Sequence, residues 1–359
     1  MKTLLDSLYI AWTIGTKDIL DALKNKNTLT NILVMVGMVG FFYWMGILRP
    51  FNKYVDVVVY DMGNTSLAIE AVTLANGTEY TLREAFSLQE MEQKMAFQNL
   101  GLVLPADFDQ SLASNQTPTL SGYIFWVDRK KASGLEAKYS QAFSEIIGQP
   151  VQVVIGQNIL IPQADVNGMP ATVAQQMVYY VFMTAFMLIP FLMLEEKQTR
   201  TLDALLISPA SPGQVVLGKA LAGFFYILVI GGLALAMYSQ YIVNWGLALA
   251  AFLEYALFAI GLGLAMGSFL KSMKQVGIWI VVLALFLVAP PLFYMESNLK
   301  AGIRAVLTWL PSSALASLFR FSCTTGATLE QLLLNLTIAT VSIGLVFGLV
   351  ILKIRRSDR

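Results

Sequence analysis

The chain has 359 residues, 56% of them hydrophobic and 13% charged, with a mean hydropathy of +0.63. A soluble domain has no interior large enough for so much apolar surface, so a lipid bilayer is expected to be the main solvent. A net charge of +1 gives no basis for nucleic-acid binding, and one cysteine (Cys323) with no histidine excludes a disulfide framework and argues against zinc.

Residues 1–28 read as a cytoplasmic amphipathic helix. At 100° per residue, Leu5, Leu8, Tyr9, Trp12, Ile19 and Leu23 share one face, while Asp6, Lys17, Asp18 and Asp21 lie elsewhere. Such a helix is expected to lie in the membrane interface, as an anchor or as a surface for a partner. No cleavable signal peptide is evident, and the first apolar run, 29–48, reads as a retained span.

Residues 50–172 read as a mixed α/β domain with a core of its own. VDVVVYD (55–61), NLGLVLP (99–105) and SGYIFWVD (121–128) are expected strands. SLAIEAVTLAN (66–76), ADFDQSLAS (106–114) and the run from Arg129 to Ile147 are expected helices. The segment carries no histidine or cysteine cluster and no GxSxG, which favours binding or gating over chemistry. Sequons at Asn64 and Asn76 are too short to decide anything.

Further apolar runs at 173–194, 218–238, 245–269, 275–293 and 331–352 bring the expected spans to six. Basic residues flank one side of them: Lys17, Lys24 and Lys26, then Lys197, Arg200 and Lys219, then Lys271 and Lys274, then Lys353, Arg355, Arg356 and Arg359. The positive-inside rule therefore places both termini in the cytoplasm and 50–172 outside. Pro190 should free a carbonyl about four residues earlier in the second span. Residues 294–330, broken by Pro311 and several serines, read either as a re-entrant pair of short helices or as a plain external loop.

Between the second and third spans, EEKQTRTLDALLISPASPGQ has helical content, charges at its start and prolines at its end. Gly213 to Lys219 fits seven positions of a phosphate-binding loop, but Ala220 stands where Ser or Thr should hold Mg²⁺ and no strand precedes it. Gly218 and Lys219 read instead as a span start, with the lysine at the headgroups. Glu254 sits roughly 13 Å along the fourth span at 1.5 Å per residue. An ionisable group at that depth marks a polar point on a substrate path or a subunit seam, or is protonated or bonded to a neighbouring helix for structural reasons.

LEEKQTRTLDALLISPASPGQVVLGKALAGF closely resembles the hallmark segment of type two ATP-binding cassette (ABC-2) exporter permeases. LKSMKQVGIWIVVLALFLVAPPLFYM and WLPSSALASLFRFSCTTGAT resemble that family's later landmarks, a basic turn before a proline-ended span and an external segment. NLGLVLPADFDQSLAS is similar to a strand–helix turn in the subgroup with a large extracytoplasmic domain between the first two spans. The resemblance implies an α-helical polytopic membrane protein with six transmembrane helices and an inserted mixed α/β extracytoplasmic domain, the permease core occupying 173–359. It also implies a coupling helix at about 195–214 that enters a groove of a separate ATPase chain. Glu195, Glu196 and Arg200 would orient that contact. Leu202, Leu205, Leu206 and Ile207 would supply its apolar surface, Ser208 belongs to the same contact, and Pro209 and Pro212 would stiffen its exit.

Two ATPase copies and a second permease, identical or paralogous, are implied. ATP and Mg²⁺ would sit on the ATPase, with no cofactor on this chain, which is itself no enzyme. The expected activity is outward transport of a hydrophobic or amphipathic compound (drug, antibiotic, lipid or peptide) across a prokaryotic plasma membrane. The alternatives are a non-transporting subunit that works an external partner through 50–172, and sodium extrusion.

Overall fold

The computed structural model describes residues 2–47, 54–63, 65, 71–75, 77–95, 100–164, 169–198, 211–294 and 300–357. The chain divides into two compact units. One comprises Met1–Tyr43, Ala171–Cys323 and Ala327–Arg359, the other Trp44–Pro170 with Thr324–Gly326.

The first unit is helical: α1 (Lys2–Lys24), α2 (Lys26–Ile47), α6 (Met169–Gln198), α7 (Pro212–Met237), α8 (Trp245–Phe269), α9 (Met273–Leu287), α10 (Ala289–Tyr294), α11 (Ala301–Thr308), α12 (Pro311–Ser322) and α13 (Leu329–Ser357). Among the described residues, five stretches are long and apolar enough to cross a membrane: Pro170–Leu194, Gly213–Met237, Trp245–Phe269, Lys274–Pro291 and Leu329–Arg355. The run expected to span at 29–48 falls in the 22-residue α2, whose Thr28–Trp44 stretch passes the same test together with Leu5–Lys24 of α1, from which it is bent by 83°. The α11–α12 pair also qualifies only jointly, with a 90° bend.

Burial grades across these helices. Of the most apolar window of α6, 72% is buried, against 17% for the stretch containing α9. α6 runs through Pro190 as one helix and stacks Phe182 on Phe186, with Tyr255 and Phe258 of α8 edge-on to Phe182. Gly263 and Gly267 let α8 approach α6 closely: a Cβ on Gly267 would lie 2.8 Å from the Pro190 carbonyl oxygen and 2.7 Å from the Met193 Cβ. This is the small-xxx-small spacing by which helices pack without a hydrophobic driving force. α12 is buried from Ser312 to Ser322, and the Ser322 carbonyl accepts from the Val243 and Asn244 amides, both at 2.9 Å.

The second unit is a seven-stranded mixed sheet of β1 (Tyr54–Asp61), β2 (Ala71–Thr73), β3 (Glu79–Ala85), β4 (Leu100–Leu104), β5 (Thr119–Phe125), β6 (Gln152–Val154) and β7 (Ile159–Leu160). Its order is β2-β3-β1-β4-β5-β6, with β7 also on β5. β1 is parallel to both β3 and β4, whereas β2–β3 and β4–β5 are antiparallel. The strand period sets the layers. Val55, Val57 and Val59 face α5 (Ala132–Ile147), whose Phe143 meets Tyr80 edge-on, while Val58 faces Met91 of α3 (Leu88–Lys94). The helix α4 (Phe108–Ala113) follows β4 directly.

The expectation of a helix over 66–76 is corrected where the structure is described: Ala71–Thr73 is a strand antiparallel to β3. β-branched Val72 and Thr73 pair across a turn that Gly77 closes at φ 76, where an L side chain would be strained.

Candidate functional site

Both described roots of the 195–214 segment belong to one polar and close-packed junction of α1, α6 and α7. α7 starts at a capping box. The Ser211 side chain accepts from the Gln214 amide, the Gln214 Oε1 accepts from the Ser211 amide at 2.7 Å, and Pro212 takes the first turn, where no amide donor is needed. The same Gln214 donates through Nε2 to Ser7 Oγ of α1 at 2.9 Å.

One turn further, α1 and α7 meet backbone to backbone. A Cβ on Gly218 would lie 2.7 Å from the Ile14 Cβ and 2.9 Å from the Ala11 carbonyl oxygen. One on Gly15 would lie 2.9 Å from the Gly218 carbonyl oxygen. Ala11 and Gly15 on one helix, with Gly218 and Ala222 on the other, form a second pair of small residues four apart.

Lys219 is enclosed by the protein. Its side chain is 0% exposed, and its Nζ donates to the Leu192 carbonyl of α6 at 2.9 Å and to Asp18 Oδ2 of α1 at 3.2 Å. α1 covers this turn of α7, so the ammonium is satisfied by protein groups rather than by snorkelling. Removing one member of such a buried pair costs about 3–5 kcal/mol, because the remaining charge is left without its partner.

The packing gives α1 three faces. Ala11, Ile14, Gly15, Asp18 and Ala22 are buried, whereas Leu5, Leu8, Tyr9, Trp12 and Leu23 form an apolar stripe that stays exposed, Tyr9 by 72% and Trp12 by 61%. Asp6, Lys17 and Asp21 occupy the third face. The sequence periodicity marks the apolar stripe. It misses the small-residue stripe, whose only signal is Ala11-x-x-x-Gly15.

Of the residues expected to carry coupling, Glu195 and Glu196 fall in the last turn of α6, and their side chains lie outside the described residues. Arg200, Leu202, Leu205, Leu206, Ser208 and Pro209 also lie outside the described residues. Glu254 is not part of the junction. It projects from α8, and its Oε1 accepts from Thr340 Oγ1 of α13 at 3.2 Å, while its buried Oε2 has no hydrogen-bond partner among the described residues. Along the same helix, an open apolar groove of about 800 Å³ is lined by Trp309, Leu329, Leu333, Leu334, Ile338 and Val341, with Glu330 among its lining residues.

A family model described as "ABC-2 family transporter protein" matches residues 26–352. None of the curated proteins compared with the chain matches it.

Proposed function

The chain belongs to the ABC-2 family of transporter proteins, and on that premise we propose that it is the membrane permease of an ATP-driven exporter of hydrophobic or amphipathic compounds. Members of this family are membrane subunits that normally work with an ABC ATPase, so that ATP is hydrolysed in a separate chain. The observation that carries the reading is the junction at the roots of 195–214, where both flanking helices are held by named polar contacts.

In this reading Leu202, Leu205, Leu206 and Ile207 fill a groove of the ATPase, Glu195, Glu196 and Arg200 orient the contact, and Pro209 and Pro212 stiffen its exit. ATP and Mg²⁺ sit on two ATPase copies, and a second permease completes the transporter. α2 and the five long apolar helices span the plasma membrane, with both termini in the cytoplasm. α1 lies in the interface on its exposed apolar stripe, and α11–α12 enter the outer leaflet. The α/β unit is then extracytoplasmic. Glu254 marks a polar point on the path, tied to α13.

Inside-out vesicles carrying this chain and its ATPase test the proposal. ATP-dependent accumulation of one class from a panel of lipophilic dyes is expected. ATP hydrolysis with no dye movement would sink export. It would favour a mechanical role worked through the α/β unit, a reading supported by that unit's separate core.

A further inference from the structure

We infer that the buried Lys219–Asp18 pair, with the Leu192 carbonyl as its third member, is the positioning element through which movement of the 195–214 segment reaches α1, α6 and α7 as one body. This inference rests on the coupling reading above.

Lys219 lies within about two helical turns of the start of α7, and Leu192 within about two turns of the end of α6. Both roots of the segment are therefore joined at one atom, Lys219 Nζ. Asp18 and Leu192 belong to two other helices, so a single ammonium fixes three helices relative to one another. Apolar contacts alone would hold them together while tolerating a slip. Directional bonds from a buried charge to a carboxylate and a carbonyl specify one register.

The rest of the junction leaves little slack. The Gly15–Gly218 approach excludes even a methyl group without rearrangement, and Ser7 Oγ is bonded to the Gln214 side chain at 2.9 Å. A pull on 195–214 is thus delivered to α1 as well as to α6 and α7. α1 becomes a moving part rather than a passive anchor.

The test uses the full chain with its ATPase in nanodiscs of phosphatidylethanolamine and phosphatidylglycerol. Lys219→Met and Asp18→Leu are compared singly and together, beside the second neutral pair Lys219→Leu/Asp18→Asn. Three quantities are read: Tm, the ATPase retained on purification, and the change in ATPase rate that the permease imposes on the cassette. Each single variant should lower Tm.

At least one neutral pair should recover the wild-type Tm and retain the ATPase, yet lose the permease-imposed rate change by at least about fivefold, the low end of ordinary coupling between sites. A neutral pair with both wild-type Tm and wild-type rate change overturns the inference, because the ions would then be packing elements only. Failure of both neutral pairs to hold the wild-type Tm also overturns it, by making the pair a folding element. If no ATPase purifies with the wild-type chain, the coupling reading itself falls and takes this inference with it, before any variant is compared.

Discussion

Gly218→Ala is the smallest change that strikes the α1–α7 contact without touching a charge. The new methyl would sit 2.7 Å from both the Cβ and Cγ2 of Ile14 and 2.9 Å from the Ala11 carbonyl oxygen. Two of those three atoms are a β-branched side chain packed on its own helix, and the third is backbone, so none can swing away. Forcing a methyl into such a contact costs about 1–3 kcal/mol. At 2 kcal/mol the ratio of docked to undocked α1 falls by roughly 30-fold. The assay places cysteines at Ser7 and Gln214, whose side chains are 2.9 Å apart, and measures the yield of a short thiol-specific cross-link in membranes. Gly232→Ala is the control. Its nearest neighbour is Leu228 Cδ1 at 3.9 Å, an ordinary contact, and alanine is the better helix former. The expected result is a large loss of cross-linking in Gly218→Ala and none in Gly232→Ala. Equal yields in the two would refute the close α1–α7 packing and the junction built on it.

Other consequences follow from the same packing. Gly267→Val should lower the Tm of the chain in detergent by several degrees, because its side chain would strike the Pro190 carbonyl and Met193. Thr340→Val should remove the α8–α13 bond to Glu254 and cost about 1 kcal/mol in a chemical-denaturation curve, whereas Thr340→Ser should not. In the α/β unit, Glu136 Oε1 accepts from the Gly156 amide at 3.0 Å and the Ile155 amide at 2.7 Å, and these bonds hold its carboxyl below the ordinary carboxylate pKa. A depressed folded pKa gives stability that is complete above the unfolded value and is lost as the pH falls through the folded one. Glu136→Gln should therefore speed proteolysis of the 155–158 turn at neutral pH and flatten its acid dependence.

How far the sequence reveals this molecule depends on whether the informative residues are local. Apolar length reveals the long helices, and valine alternation reveals β1, because both signals sit within one element. The sequence hides β2: SLAIEAVT carries a helical period, while the competing signal, Asn76-Gly77 between Thr73 and Glu79, is a hairpin mark whose partner strand lies beyond it. Lys219 shows the larger gap. Seen along the chain it stands at the edge of an apolar run, and its carboxylate partner lies 201 residues away. Only the small residues Gly15 and Gly218 hint that another helix covers it, and their pairing is not written in either helix alone. The apolar and charged residues of 195–209 suggest a contact surface by their types alone, and their side chains lie outside the described residues. Glu254 was legible as an anomaly, but its bond to Thr340 was not, since hydropathy says nothing about which helix lies opposite.

The central claim, that 195–214 couples this permease to an ATPase, is tested most directly by the hydrolysis rate of the co-purified cassette in lipid. The rate is measured against a panel of hydrophobic compounds, with the wild-type chain and with Leu205→Asp side by side. Stimulation by one compound class, abolished by a carboxylate in the apolar contact, is the predicted result. Stimulation that survives Leu205→Asp, or a wild-type chain that retains no ATPase, would contradict it.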